Sequence, residues 1–101
     1  MIVAIPASNN RSDALTDDRF ARCPYFCLFN TESKELNFIE NDKKDAAGGV
    51  GPMVAELLDE KGVEEVWSIE VGPKAQTALA KLHINIQLID PGLTIQELIN
   101  K

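Results

Sequence analysis

Apolar residues along this chain keep two different rhythms. Ile2-Val3-Ala4-Ile5 is an unbroken apolar, mostly β-branched run closed by Pro6, which predicts a buried strand that the proline ends. Tyr25 to Asn30 and Leu36 to Glu40 are two further strand-like runs. Asn30-Thr31-Glu32-Ser33-Lys34-Glu35 between them supplies turn chemistry, so the pair predicts a hairpin. From Val50 the spacing becomes helical: Val50, Met53, Val54, Leu57 and Leu58 share one face, Glu56, Asp59, Glu60 and Lys61 the other, and Gly62 stands where such a helix stops. Val63 to Ile69 predicts a strand, Pro73 to Leu82 a helix with Ala75, Ala78, Leu79 and Leu82 inward, and Ile84 to Ile89 a last strand. Thr94 and Glu97 form a capping box, with Leu93 and Leu98 as its hydrophobic staple, and predict a short helix from Ile95 to Asn100.

Two stretches lack either rhythm. Ala7 to Asp18 is polar and reads as a long loop, the kind that often carries function. Asn41 to Gly49 is polar and rich in small residues, and reads as a loop leading into the first helix. The predicted order is strand-strand-strand-helix-strand-helix-strand-helix, an α/β arrangement with one mixed five-stranded sheet and helices packed on it. Its strand–helix–strand alternation implies parallel pairing through right-handed crossovers. Such sheets receive guests beyond the carboxyl ends of parallel strands, where the strand order reverses. Here that edge is expected at Pro6 to Asn10, at Glu70 to Pro73 and at the Gly48 turn.

The glycines sharpen that expectation. Gly48-Gly49-Val50-Gly51-Pro52 opens the first predicted helix and Gly72-Pro73 the second, and the unpaired N–H groups of a helix start favour an anionic or electron-rich guest. The first cluster lacks the lysine and Ser/Thr of a P-loop and does not directly follow a strand, so tight helix packing is the competing reading.

Length and charge narrow the partners. A chain of 101 residues with 45% hydrophobic content fits one domain over 1–101. Sixteen acidic against ten basic residues leave a net charge of −6, which repels nucleic acid and anionic membrane surfaces. There is no apolar run of bilayer length and no leader pattern after Met1, so a cytoplasmic protein is expected. Its oligomeric state is left open.

Few residues could carry chemistry. Cys23, beside Arg19 and Arg22, is a natural soft-metal ligand with neighbours that could lower its pKa; the alternative is a small buried filler before Pro24. Cys27 shares strand parity with Cys23 and Tyr25, so the three are expected on one face unless Pro24 disturbs the alternation. Four residues apart along a strand their Cα atoms would lie roughly 13 Å from each other, too far for joint chelation or a disulfide if that stretch is a strand. His83 is expected to cap the second helix in a left-handed conformation, and Trp67 to sit in the core. Arg19 and Arg22 suit an anion or an ion pair with Asp13, Asp17 or Asp18. The first strand has no acidic residue to hold two divalent ions, which excludes a two-metal nuclease, and Cys23 has no nearby base to make it a nucleophile. No catalytic residue is predicted, and the chain is not expected to be an enzyme.

Four segments in order, Met1-Ile2-Val3-Ala4-Ile5-Pro6, Arg19-Phe20-Ala21-Arg22-Cys23-Pro24-Tyr25-Phe26, the turn at Gly48, and Val71-Gly72-Pro73-Lys74-Ala75, resemble the dinitrogenase iron–molybdenum cofactor biosynthesis family. The resemblance runs to about Leu88. It implies a ribonuclease-H-like α/β fold and a small carrier that holds an iron–sulfur or iron–molybdenum type cluster and meets a cofactor-assembly protein. The chain departs from the family pattern at Arg19, where a histidine is common, at Ala21, where glycine is common, and at Asp45-Ala46-Ala47, where a second histidine often stands. Glu70 adds a carboxylate where relatives are small and neutral. The departures fit an alternative, a metal-free regulatory or assembly module. Helix starts, strand ends and resemblance together mark Ser8, Asn9, Arg19, Phe20, Cys23, Gly48, Gly49, Gly72 and Pro73 as candidate cofactor-binding residues, with no metal ligand assigned.

Overall fold

The amino-terminal apolar run becomes the centre of a mixed sheet. The computed structural model describes residues 1–100. It holds strands β1 (Ile2–Ala7), β2 (Tyr25–Asn30), β3 (Leu36–Glu40), β4 (Val63–Ser68) and β5 (Asn85–Leu88), with helices α1 (Val50–Glu60), α2 (Pro73–Lys81) and α3 (Ile95–Ile99). The strand order is β3-β2-β1-β4-β5. Strand β1 runs antiparallel to β2 and parallel to β4, β2 antiparallel to β3, and β4 parallel to β5. Val3, Ala4, Ile5 and Ala7 are fully buried because both faces of the sheet are covered, which is why this segment lacks polar alternation.

Pro6 does not end the first strand as its position suggested. It pairs with Phe26 inside the β1–β2 ladder, while β4 accompanies β1 only as far as Ala4. The missing N–H of Pro6 therefore deprives no strand on the β4 side.

The sheet separates two cores. On one side Ala4, Phe26, Leu28 and Val66 pack against Val54, Ala55 and Leu58 of α1 and Ala75 and Leu79 of α2. On the other, Val3, Ile5, Ala7, Cys27 and Phe29 gather beneath Ile95 of α3. Cys23 belongs to the helix side and Cys27 to the α3 side, with Tyr25 packed beside Cys27. The expected shared face is corrected: Cys23 precedes β2, across Pro24, and strand parity does not reach it. Trp67 is also not enclosed. It lies half-buried on the α3 side, its ring 6.1 Å from that of Phe29 and its Nε1 donating to Glu65 Oε2 at 3.3 Å.

Local chemistry explains the element ends. Gly62, at φ 78°, turns the chain after α1, and His83 adopts the left-handed conformation (φ 60°) after α2. Thr94 Oγ1 accepts from Glu97 N at 3.1 Å while Glu97 Oε1 accepts from Thr94 N at 3.0 Å, completing the capping box. The loop after β1 is fastened to this end of the chain: Ala14 and Ser12 carbonyls accept from Ile95 N and Gln96 N, both at 2.9 Å.

Helices α1 and α2 meet at their starts. A Cβ on Gly51 would lie 3.1 Å from Ala75 Cβ and 3.2 Å from Ala75 Cα and N, so only glycine lets the two backbones approach this closely. Gly51→Ala is expected to lose about 1 kcal/mol net of its better helix propensity, since α2 must shift to admit the methyl. That is a fall of about 4–8 °C in melting temperature. Gly48→Ala meets nothing within 4 Å and is expected to leave the melting temperature unchanged. Equal melting of the two variants in calorimetry would contradict the close approach.

Candidate functional site

Strands β1, β3, β4 and β5 point the same way and β2 opposes them. Three connections, residues 8–24, 41–49 and 69–72, consequently share one edge of the sheet with the starts of α1 and α2. A cleft of about 640 Å³ opens there. Its walls are Asp18–Ala21, Gly49–Pro52 and Glu70–Ala75, with Phe20 and Val71 almost fully buried. Phe20 is braced edge-to-face by Phe26, with ring centres 5.7 Å apart.

The cleft's polarity comes mainly from backbone. Neither α1 nor α2 has a side-chain cap. Pro52 and Pro73 carry no N–H, and Met53 N and Gln76 N already donate to the Gly49 and Gly72 carbonyls. The first-turn amides of Val50, Gly51, Lys74 and Ala75 are left without intrahelical acceptors, and all four residues line the cleft. Two positive helix-dipole ends thus converge on one space, with Arg19 and Lys74 adding positive charge and Asp18 and Glu70 negative.

Arg19 is positioned by its neighbour. Its Nε donates to Asp17 Oδ1 at 3.0 Å, its Nη2 to Oδ2 at 2.9 Å, and its backbone N to Oδ1 at 2.8 Å. Asp17 is itself fixed by donating its N–H to Pro6 O at 2.9 Å. Burial pushes the Asp17 carboxyl up, but the hydrogen bonds and charge of Arg19 outweigh it and hold the group below its usual range, while the pair raises Arg19. Of the expected pairings, Asp17 takes Arg19 and Asp13 takes Arg11. Arg22 pairs with no carboxylate among the described residues; its Nη1 donates to Lys44 O at 2.7 Å.

The wall carrying Arg19 and Phe20 is held from below by Asn41, a fully buried residue. Its Nδ2 donates to Ala21 O and to Cys23 O, each at 2.8 Å, its Oδ1 accepts from Lys43 N at 3.1 Å, and its backbone N donates to Pro24 O at 2.9 Å. One side chain ties the loop before β2 to the loop before α1.

Of the residues singled out from sequence, Arg19, Phe20, Gly49, Gly72 and Pro73 meet at the cleft. Ser8, Asn9, Gly48 and Cys23 do not line it. Ser8 Oγ donates to Leu15 O and Asn9 Oδ1 accepts from Asn10 N, both inside their own loop. The Cys23 thiol is fully buried and donates to Phe20 O at 3.3 Å. Burial, with the Asp17 carboxylate adding to it, pushes its pKa up to about 12, opposite to the activation expected from Arg19 and Arg22. His83, beyond the far end of α2, is remote from the cleft. Among the described residues no group of three or more His, Cys, Asp or Glu side chains is placed to hold a metal ion. Sequence reasoning placed Val71 at the guest edge and Asp17 beside Arg19, but missed Asn41 and Lys74 as parts of the site. Val71 and Lys74 flank the Gly72-Pro73 signal, whereas the burial of Asn41 has no local signature.

The fold is shared with solved proteins. The apo form of the orange protein from Desulfovibrio gigas superposes with a TM-score of 0.92 at 26% identity, covering 98% of this chain and 83% of that one. A Thermotoga protein carrying a provisional NifB label superposes with a TM-score of 0.83 at 36% identity, covering 98% and 84%. An uncharacterized protein of Methanocaldococcus jannaschii is 32% identical over 89 residues, 85% of this chain and 72% of the relative. The sequence model of the family described as dinitrogenase iron-molybdenum cofactor matches residues 1–101, and the chain belongs to that family.

Proposed function

We propose that this chain, acting as one unit over residues 1–101 in the cytoplasm, is a non-enzymatic carrier. Its cleft receives an anionic metal–sulfur cluster and releases it to a cofactor-assembly protein. The observation that carries this reading is the convergence of two uncapped helix starts on one largely apolar cleft with Arg19 at its rim. Family membership and the likeness to a protein solved in an apo form support it.

The donor set decides what kind of cluster fits. Among the described residues the cleft is lined by no thiolate and no imidazole, so its only side chains able to ligate iron are the hard carboxylates of Asp18 and Glu70, which are poorly matched to a sulfide-rich cluster. Backbone amides, the Arg19 guanidinium and the Lys74 ammonium suit a cargo already closed by its own sulfides and held through charge and hydrogen bonds. Phe20 and Val71 exclude water from it, and Asp17 fixes the direction of Arg19.

Incubation of the purified protein with thiomolybdate and copper, or with iron and sulfide, is expected to leave charge-transfer absorption that survives desalting. Arg19→Gln is expected to weaken retention about tenfold, the loss of one charge-assisted contact. Colourless protein after desalting under every condition would overturn the carrier reading.

Asp18 and Glu70 at the cleft favour a second reading, since two carboxylates at the mouth repel an anion. In it the chain is a metal-free regulatory or assembly module. Enrichment of one partner by colourless protein would select it.

A further inference from the structure

Beside the cleft, behind Arg19, lies a second hollow of about 370 Å³ lined by Arg19, Arg22, Pro24, Lys44 and Asp45. It forms because the turn at residues 20–22 presents Arg19 and Arg22 on the same side, and because Asn41 holds the turn bearing Lys44 and Asp45 against them. Three cations around so small a space are unusual in a chain whose net charge is −6.

The hydrogen bonds already made define what remains free. Arg19 spends one hydrogen each of Nε and Nη2 on Asp17, leaving both Nη1 hydrogens and the second on Nη2. Arg22 spends Nη1 on Lys44 O, leaving Nε and Nη2, and pairs with no carboxylate among the described residues. Lys44 Nζ reaches Asp45 Oδ2 at 3.2 Å, but that carboxylate is 89% exposed and free to swing into solvent. Both guanidinium groups are therefore oriented before any ligand arrives, and both residues line a hollow with room for a tetrahedral oxyanion and its solvation. Preorganised guanidinium forks lose little conformational freedom on capturing such an anion.

We propose that the Arg19–Arg22–Lys44 hollow is a binding site for a tetrahedral oxyanion, separate from the cleft and sharing with it only the Arg19 side chain. The chemistry is that of phosphate, free or as the phosphoryl group of a larger molecule. Arg22 is its principal ligand, because it alone of the three cations makes no ion pair of its own.

The test is a titration of the 15N-labelled protein with inorganic phosphate at constant ionic strength, following backbone amides and arginine Nε–H signals. Saturable shifts are expected at Arg22, Lys44 and Asp45 in the millimolar range, larger than any at Val50 and Ala75 in the cleft, and larger shifts at those two cleft amides would move the binding to the cleft and overturn a separate site. Arg22→Gln is expected to weaken the binding at least tenfold with its melting temperature unchanged, the control that the loop is still folded. Arg22→Lys, which keeps the charge but loses the fork, is expected to fall between. A parallel titration with O-phosphoserine separates the sources: tighter binding than phosphate assigns the site to a phosphoryl group on a larger molecule, weaker binding to the free ion. Shifts no larger than chloride produces, or equal affinity in Arg22→Gln, would overturn the site. Cleft loading with thiomolybdate is read separately by absorption, so failure of either site leaves the other standing.

Discussion

Asn41→Ala is expected to cost about 2–4 kcal/mol of stability, more than any surface substitution in this chain. Removing the carboxamide strands the Ala21 and Cys23 carbonyls, both now satisfied at 2.8 Å, in a place that water reaches poorly. A buried acceptor left without a donor costs roughly 1–3 kcal/mol. For a domain of this size the melting temperature should fall by about 8–32 °C. Asn41→Asp sharpens the argument: a carboxylate cannot donate, and at pH 7 it would turn negative charge toward two carbonyl oxygens. It is expected to be worse than alanine. Because the loss frees the wall bearing Arg19 and Phe20, the alanine variant should also retain cargo less well at temperatures where it remains folded. Calorimetry showing a loss below about 0.5 kcal/mol would mean that the two loops hold together without this residue.

That residue marks where the chain's own pattern stops informing about its site. Strands β2 and β3 fall on Tyr25–Asn30 and Leu36–Glu40 as the runs predict, and α1 starts at Val50 with Gly62 beyond its end, because alternation, helical spacing and glycine act over a few neighbouring residues. The capping box at Thr94 is equally local. Placement of the helix starts at one edge was also readable, since it follows from parallel pairing. Pairings between distant loops were not. Asn41 looks like any turn asparagine until the loop 20 residues earlier is laid over it. Ser8 and Asn9 stand at the carboxyl end of β1, but the loop after β1 turns to α3 and takes them to its own backbone. The reading of Cys23 failed for a related reason: sequence neighbours Arg19 and Arg22 extend outward while the sulfur turns into the helix-side core.

The same geometry brings neither thiolate nor imidazole to the cleft among the described residues. Two helix starts, an apolar floor and a fixed guanidinium are compatible with a closed anion, and the thiol that sequence brings closest is turned away from the cleft to a carbonyl. Under the proposed function, a carrier built this way would discriminate by charge, size and hydrogen bonding, and would release its guest without breaking a metal–protein bond.

The cysteines provide the largest measurable contrast. Burial pushes both thiols up to about 12 from an ordinary 9.0, which lowers the thiolate fraction at pH 8 about a thousandfold, and the closed structure also keeps the reagent out. Alkylation by iodoacetamide at pH 8 is therefore expected to be at least 10³-fold slower in the native protein than in denaturant. Because each folded pKa lies above its unfolded value, the thiols contribute stability that is complete below about pH 9 and is lost as the pH rises toward 12. The two residues should differ in how they open. Cys27 lies in β2 between β1 and β3, so its labelling should follow global unfolding. Cys23 lies in the loop that Asn41 fastens, so Asn41→Ala should accelerate Cys23 well beyond what its lower global stability gives to Cys27. Mass spectrometry of each site against time reads both effects. Rapid native labelling of Cys23 at pH 8 would show an accessible thiolate beside Phe20, return sulfur to the set of cluster ligands, and end the case for a cargo held by charge and hydrogen bonds alone.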